Sequence, residues 1–166
     1  ERVRVAVQAA PDVRPQMLGQ LYLDARIYEL ADAQFAQVAP DSPIAPAASA
    51  YAAYSEWQRD NRADSLAQLQ RLVAAHPDDV GIRAMLVVAL LAQGDPTAAS
   101  SHLDTMRQQA PNDADTHLAQ ATWYLVEREY NRASLAYQQA LQRAPAEQRR
   151  DYALLVARFH LNSGYA

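Results

Sequence analysis

Apolar and polar positions along this chain repeat on two scales. Within short stretches the apolar residues recur at steps of three and four, the stripe of an amphipathic helix. Between stretches the whole pattern recurs every 34 residues. A small residue stands at Ala31, Ser65, Ala99 and Ala133. Four residues later comes a large apolar one, at Phe35, Leu69, Leu103 and Tyr137, and three further on Val38, Leu72, Met106 and Ala140. Upstream a compact column runs through Gly19, Ala53, Val87 and Ala121. Pro43, Pro77, Pro111 and Pro145 keep the same step. The pattern divides the chain into four consecutive units, 12–45, 46–79, 80–113 and 114–147, each holding two helices. It predicts helices near 13–25, 28–39, 46–59, 62–75, 79–93, 96–109, 113–128, 130–143 and 147–162.

A fixed period of this size means stacked supersecondary units, because one helix pair cannot bury its apolar stripe alone. Helices approach closely only where side chains are small, so the Gly/Ala and Ala/Ser columns mark helix crossings. Phe35 and Tyr137 fill the spaces between. Each proline falls just after a second helix, which it cannot continue. Asp78-Asp79 and Asn112-Asp113 offer caps to the next helix, and Gly94-Asp95-Pro96 reads as turn, N-cap and first-turn proline.

These columns resemble the tetratricopeptide repeat, a 34-residue helix-turn-helix with Leu-Gly, Tyr, Ala, Phe and Pro landmarks. The first unit carries Leu18-Gly19, Tyr22, Tyr28, Ala31, Phe35 and Pro43, and the last carries Ala121, Tyr124, Tyr130, Ala133, Tyr137, Ala140 and Pro145. The middle units depart, with Glu56 and Leu90 at the inner tyrosine and Val87 at the glycine position. The tryptophan landmark is replaced throughout, by Pro15, Ser49, Arg83 and His117. The resemblance implies an all-α fold, a right-handed α-solenoid of antiparallel helix pairs. Residues 1–11, whose Ala6–Pro11 resembles Ala140–Pro145, are expected to end a preceding repeat, and 148–166 to open a partial fifth. The chain starts on Glu1, and we expect it to be cut from a longer bacterial protein.

Charge narrows the partners. A net charge of −4 with no basic stripe argues against nucleic acid. All 15 basic residues are arginine, which together with the alanine content suggests a GC-rich bacterial gene. The absence of cysteine excludes disulfides and thiolate metal sites and leaves periplasm and cytoplasm equally open. The longest apolar run, Met85–Ala92, is eight residues, too short to insert in a membrane.

The candidate chemistry is sparse. His76, His102, His117 and His160 have no metal-binding spacing, and no glycine-rich phosphate loop is present. Paired carboxylates at Asp78-Asp79 and Glu127/Glu129 read as a cap and a solvated helix end. We expect no enzyme activity and no cofactor. What is left is the groove. The resemblance implies that first helices line a concave face that binds proteins or peptides. The implied inward positions are Gln16, Gln20, Leu23 and Asp24, then Ala50, Tyr54, Trp57 and Gln58, then Ala84, Val88, Leu91 and Ala92, then Leu118, Thr122, Leu125 and Val126, and last Leu154, Arg158, Leu161 and Asn162. Of these, Tyr54, Trp57, Val88, Leu91, Leu125 and Arg158 are the expected partner-binding residues, the first four as one apolar patch. Large aromatics on an open face are typical anchors. Without lysine, and with Arg158 as the only inward cation, a carboxylate clamp for a free C-terminus is not expected. An apolar or amphipathic segment suits the groove better. The alternative is a structural or assembly scaffold, such as the periplasmic repeat arm of a polysaccharide-export system, and self-association is compatible with either.

Overall fold

The computed structural model describes residues 2–59 and 62–146, with positions 149, 152, 153, 156 and 157 beyond them, and side chains from residue 13. All regular structure among the described residues is helical. The fold class is all-α and solenoid-like, built of antiparallel helix pairs. Eight helices are described: α1 (Arg2–Asp24), α2 (Tyr28–Phe35), α3 (Ala45–Gln58), α4 (Arg62–Ala75), α5 (Val80–Gln93), α6 (Pro96–Gln109), α7 (Ala114–Val126) and α8 (Tyr130–Arg143). The chain divides into two compact units, Glu1–His76 and Pro77–Ala166.

In the first unit α1 pairs with α2, α3 pairs with α4, and α2 packs on α3. The core gathers Ala31, Phe35, Val38 and Ala48, with Tyr22, Leu23, Ile44, Tyr51 and Ala52 against it. Phe35 stacks on Tyr51 at 5.6 Å between ring centroids. On its other side the ring meets the bare backbone of Gly19, where a Cβ would sit 2.4 Å from a ring carbon. That close approach explains the compact residue in this column.

Two boundaries differ from the sequence expectation. Helix α1 runs unbroken through Pro11 and Pro15 rather than restarting near residue 13. Helix α2 stops at Phe35 instead of near 39. Its end tightens through i→i−3 bonds, Gln37 N–H to Gln34 O and Val38 N–H to Phe35 O. The following Ala39 precedes Pro40, whose ring disfavours helical geometry there.

In the second unit α5 pairs with α6 and α7 with α8, while α5 and α6 both pack on α7. Two clusters form its core around α7 and α8. One joins Ala121, Ala133, Ala136 and Tyr137. The other joins Ala114, Ala140, Ala144 and Tyr152. Ala99 and Ala133, expected at close crossings, are both fully buried. The described positions within 149–157 are helical, on the stretch where a ninth helix was expected.

Three of the turns within pairs, those of α1–α2, α5–α6 and α7–α8, share one geometry. Arg26, Gly94 and Arg128, in one 34-residue column, all have positive φ, 59°, 88° and 60°. In each, the N–H of this residue bonds back three residues and the next N–H bonds back five: Ile27 to Tyr22, Asp95 to Leu90, Glu129 to Tyr124. These are Schellman C-caps, which satisfy the last carbonyls of the first helix. Asp79, Asp95 and Asp113 cap α5, α6 and α7 through their side chains, at Ile82, Ala98 and Asp115 N–H.

Candidate functional site

The inward positions of the first helices fall into two columns with different fates. Gln20, Tyr54, Val88 and Thr122, which hold the same helix position in successive repeats, are all half-buried. Three residues on, Leu23 and Leu125 are half-buried, whereas Trp57 and Leu91 sink to 6% and 4% exposure. Trp57 and Leu91 therefore lie deeper than Tyr54 and Val88, with packing as their first job. Ala50 and Ala84 are also buried, and Gln58, Ala92 and Val126 are exposed at the rim.

In the first unit, Tyr54 and Trp57 stack nearly parallel at 5.8 Å, one helical turn apart on α3. Gln58 Nε2 donates to the Tyr54 hydroxyl at 2.8 Å and fixes its direction. Burial first, then the neighbouring Tyr28 and Asp24, raise the Tyr54 pKa against the lowering effect of the Gln58 bond, so the phenol stays neutral. The Arg62 guanidinium lies 5.4 Å over the Trp57 ring, a cation–π contact that covers its face. Trp57 Nε1 is buried with no hydrogen-bond partner among the described residues. Arg59 pairs with Asp32 at 3.0 Å and extends the α3 end toward α2.

In the second unit, Leu118 and Leu125 pack on the Ala121–Ala133–Tyr137 cluster. Thr122 Oγ1 donates to the Leu118 carbonyl at 3.0 Å. Tyr124 receives a hydrogen bond from Gln120 at 3.1 Å and lies under the Arg132 guanidinium at 5.8 Å. Arg158 lies outside the described residues, as do Leu154, Leu161 and Asn162. Tyr54 and Trp57 belong to the first unit, and Val88, Leu91 and Leu125 to the second.

The structure also brings together groups that spacing alone does not reveal. Arg83, in the column of the missing tryptophan, is buried. It donates to the Pro77 carbonyl and reaches His102 Nδ1 at 3.4 Å. Burial, reinforced by this guanidinium, lowers the His102 pKa; burial and Arg143 do the same to His117. Asp115, in the first turn of α7, accepts a hydrogen bond from the Tyr152 hydroxyl. Burial raises its pKa in spite of that bond. No group of three metal-ligating side chains forms among the described residues, and no helix among them is long and apolar enough to cross a membrane.

These shifts give opposite pH trends. A raised folded-state pKa means that the folded chain holds the Asp115 proton more tightly than the unfolded chain. The stability this group gives is complete below its unfolded value of about 4 and is lost as pH rises through the folded value. The histidines work in reverse: the unfolded chain protonates first as pH falls below about 6.5, which removes stability. We expect wild type to gain stability relative to Asp115→Asn as pH falls from neutral toward about 4, measured by urea melts at matched pH. A pH-independent difference would mean that Asp115 titrates alike in both states.

Residues 56–122 match the tetratricopeptide repeat family. Among solved structures, the chain is similar to TTC0263, a thermophilic TPR protein of Thermus thermophilus. The two share 26% identity with a TM-score of 0.65, covering 93% of this chain and 84% of that one. It is also similar in fold to MamA of MSR-1, at 14% identity and a TM-score of 0.50, covering 93% and 88% of the two chains. No curated protein matches the sequence.

Proposed function

Because this chain carries tetratricopeptide repeats, a fold that in general serves protein–protein interaction and scaffolding without catalysis, we propose that it docks an apolar or amphipathic segment of a partner protein along its first helices. The observation that carries this reading is the half-buried column Gln20, Tyr54, Val88 and Thr122. Each keeps part of its surface exposed, and behind Tyr54 and Val88 the helix neighbour three residues on, Trp57 or Leu91, is buried. Tyr54 is the proposed anchor: a flat ring, held by Trp57 behind it and Gln58 at its hydroxyl, loses little entropy on binding. Trp57 supports it from below, and Val88, Leu91, Leu125 and Arg158 complete the proposed contact set. The arginine-only basic residues and the likeness to a Thermus thermophilus protein support a bacterial source.

The test is selection of helical peptides from a displayed library against this chain, followed by calorimetry on variants. Tyr54→Ala should weaken the selected peptides about tenfold or more, a loss of about 1.4 kcal/mol. Arg149→Ala should change affinity little. Trp57→Ala should weaken binding as well, but Trp57 is buried, so its thermal melt must be compared alongside. Loss at Arg149 with none at Tyr54 moves the partner to the basic C-terminal end. Self-association through Tyr54 with no other ligand hands the role to the assembly scaffold.

A further inference from the structure

In the first unit the inward site is not purely apolar. Arg62 lies 5.4 Å over the ring of Trp57, and Trp57 stacks on Tyr54 at 5.8 Å with the planes 10° apart. Of the two rings Trp57 is buried and Tyr54 is half open. Gln58 Nε2 donates to the Tyr54 hydroxyl at 2.8 Å and holds the ring in place. Asp24, the last residue of α1, is exposed, and Tyr28, the first of α2, is half-buried. Both helices pack on α3, which carries Tyr54. Burial chiefly raises the Tyr54 pKa, and Tyr28 and Asp24 add to it, which puts the carboxylate and the two phenols in one neighbourhood. The cation at the end of α3, Arg59, is taken up by Asp32 at 3.0 Å and Glu29 at 3.7 Å. The chain itself shows twice what settles on such rings: Arg62 over Trp57, and Arg132 over Tyr124 at 5.8 Å.

We propose that the partner segment carries an arginine whose guanidinium lies against the Tyr54 ring and pairs with the Asp24 carboxylate. This rests on the inward docking proposed above and adds the chemistry of the partner. An aromatic face attracts a cation, and more strongly where water is excluded. A guanidinium is planar and carries its donors at the edge, so it stacks on a ring and reaches a carboxylate at once; an ammonium does one or the other. A carboxylate has about four acceptor sites, so Asp24 takes the partner's donors in addition to the interaction it already makes within the chain. The net charge of −4 favours the approach of a basic segment, and Asp24 repels an acidic one.

The probe is a displayed library of helical peptides with arginine, glutamate, glutamine and serine equally represented at the polar positions, and leucine and aromatics at the apolar ones. Peptides selected by this chain should carry an arginine. Calorimetry on the synthetic winners should show about tenfold weaker binding when glutamine replaces it, and an intermediate loss with lysine. Asp24→Asn should weaken the arginine peptides about threefold and leave their glutamine forms unchanged, so the two losses do not add. This variant removes a negative charge from the C-terminal end of α1, where it does not help the helix, and circular dichroism should show it folded. Asp104→Asn, in an exposed pair on α6, should change nothing. Winners that need Tyr54 but lack arginine, or that bind Asp24→Asn as tightly as wild type, overturn this inference and leave the inward docking standing. Winners indifferent to Tyr54→Ala, or no winners at all, remove the docking and this inference with it. A dimer in sedimentation that Asp24→Asn dissolves also overturns it, by assigning the site to a second copy of the chain.

Discussion

Phe35→Ala will destabilise the first unit by about 3–5 kcal/mol, the usual cost of deleting a buried aromatic ring. The ring is 4% exposed and touches three helices. Gly19 of α1 brings its backbone against one face, and Tyr51 of α3 stacks at an interplanar angle of 13°. Neither neighbour collapses easily into the gap. Gly19 has no side chain to move, and Tyr51 is tied to its own helix. Loss of the stacked pair adds about 0.5–1.5 kcal/mol within that total. Stability in a repeat array is a sum of unit and neighbour terms, so one melting temperature is a poor readout. Native-state hydrogen exchange resolves it: amides of α1 to α3 should lose protection by this amount, and those of α7 and α8 should lose less. A loss under about 1 kcal/mol in α1 to α3 would mean that the Gly19–Phe35–Tyr51 contact is not what holds these helices.

Seven of the helices, α2 to α8, stand within a few residues of where the sequence puts their starts. The reason is that each signal is local and repeated. A 3.6-residue stripe, a small residue at the crossing and a proline after the second helix all depend on near neighbours and recur four times. Helix α1 is the exception, because Pro11 reads as the stop after a preceding repeat's helix and α1 runs through it. The turn column was legible only at Gly94. Arg26 and Arg128 adopt the same left-handed geometry without a glycine to announce it. There the Schellman bonds offset the cost of the Cβ, and bonds of that kind leave no trace in composition.

The candidate site was legible as a set of columns, not as depths. Spacing assigns Tyr54 and Trp57 to neighbouring positions on one helix face. It does not say which of two positions, 300° apart in rotation at 100° per residue, turns toward the adjacent helix. The structure puts Trp57 and Leu91 deep and leaves Tyr54 and Val88 half open. The Arg62 cover on Trp57 and the Arg83–His102 pair depend on which side chains meet in the fold, and only packing reveals them.

Tyr137→Ala will cost the second unit about 3–5 kcal/mol, while Tyr137→Phe will cost about 1 kcal/mol. The two variants separate the ring from its hydroxyl. The ring fills the space left by Ala121, Ala133 and Ala136, all at most 2% exposed, with Leu118, Tyr124, Leu125 and Val156 closing around it. Three alanines cannot extend into the void left by its removal, so the cavity should persist and the cost should approach the upper end. The hydroxyl is a smaller matter. Its pKa is raised by burial and lowered somewhat by a hydrogen bond with Thr122, which places it against one polar partner. Removing the hydroxyl leaves Thr122 with its own bond to the Leu118 carbonyl, so no buried donor is orphaned. Urea denaturation followed by the hydrogen exchange of α7 and α8 measures both variants. Equal costs for Ala and Phe would show that the hydrogen bond, not the packed ring, holds α7 to α8.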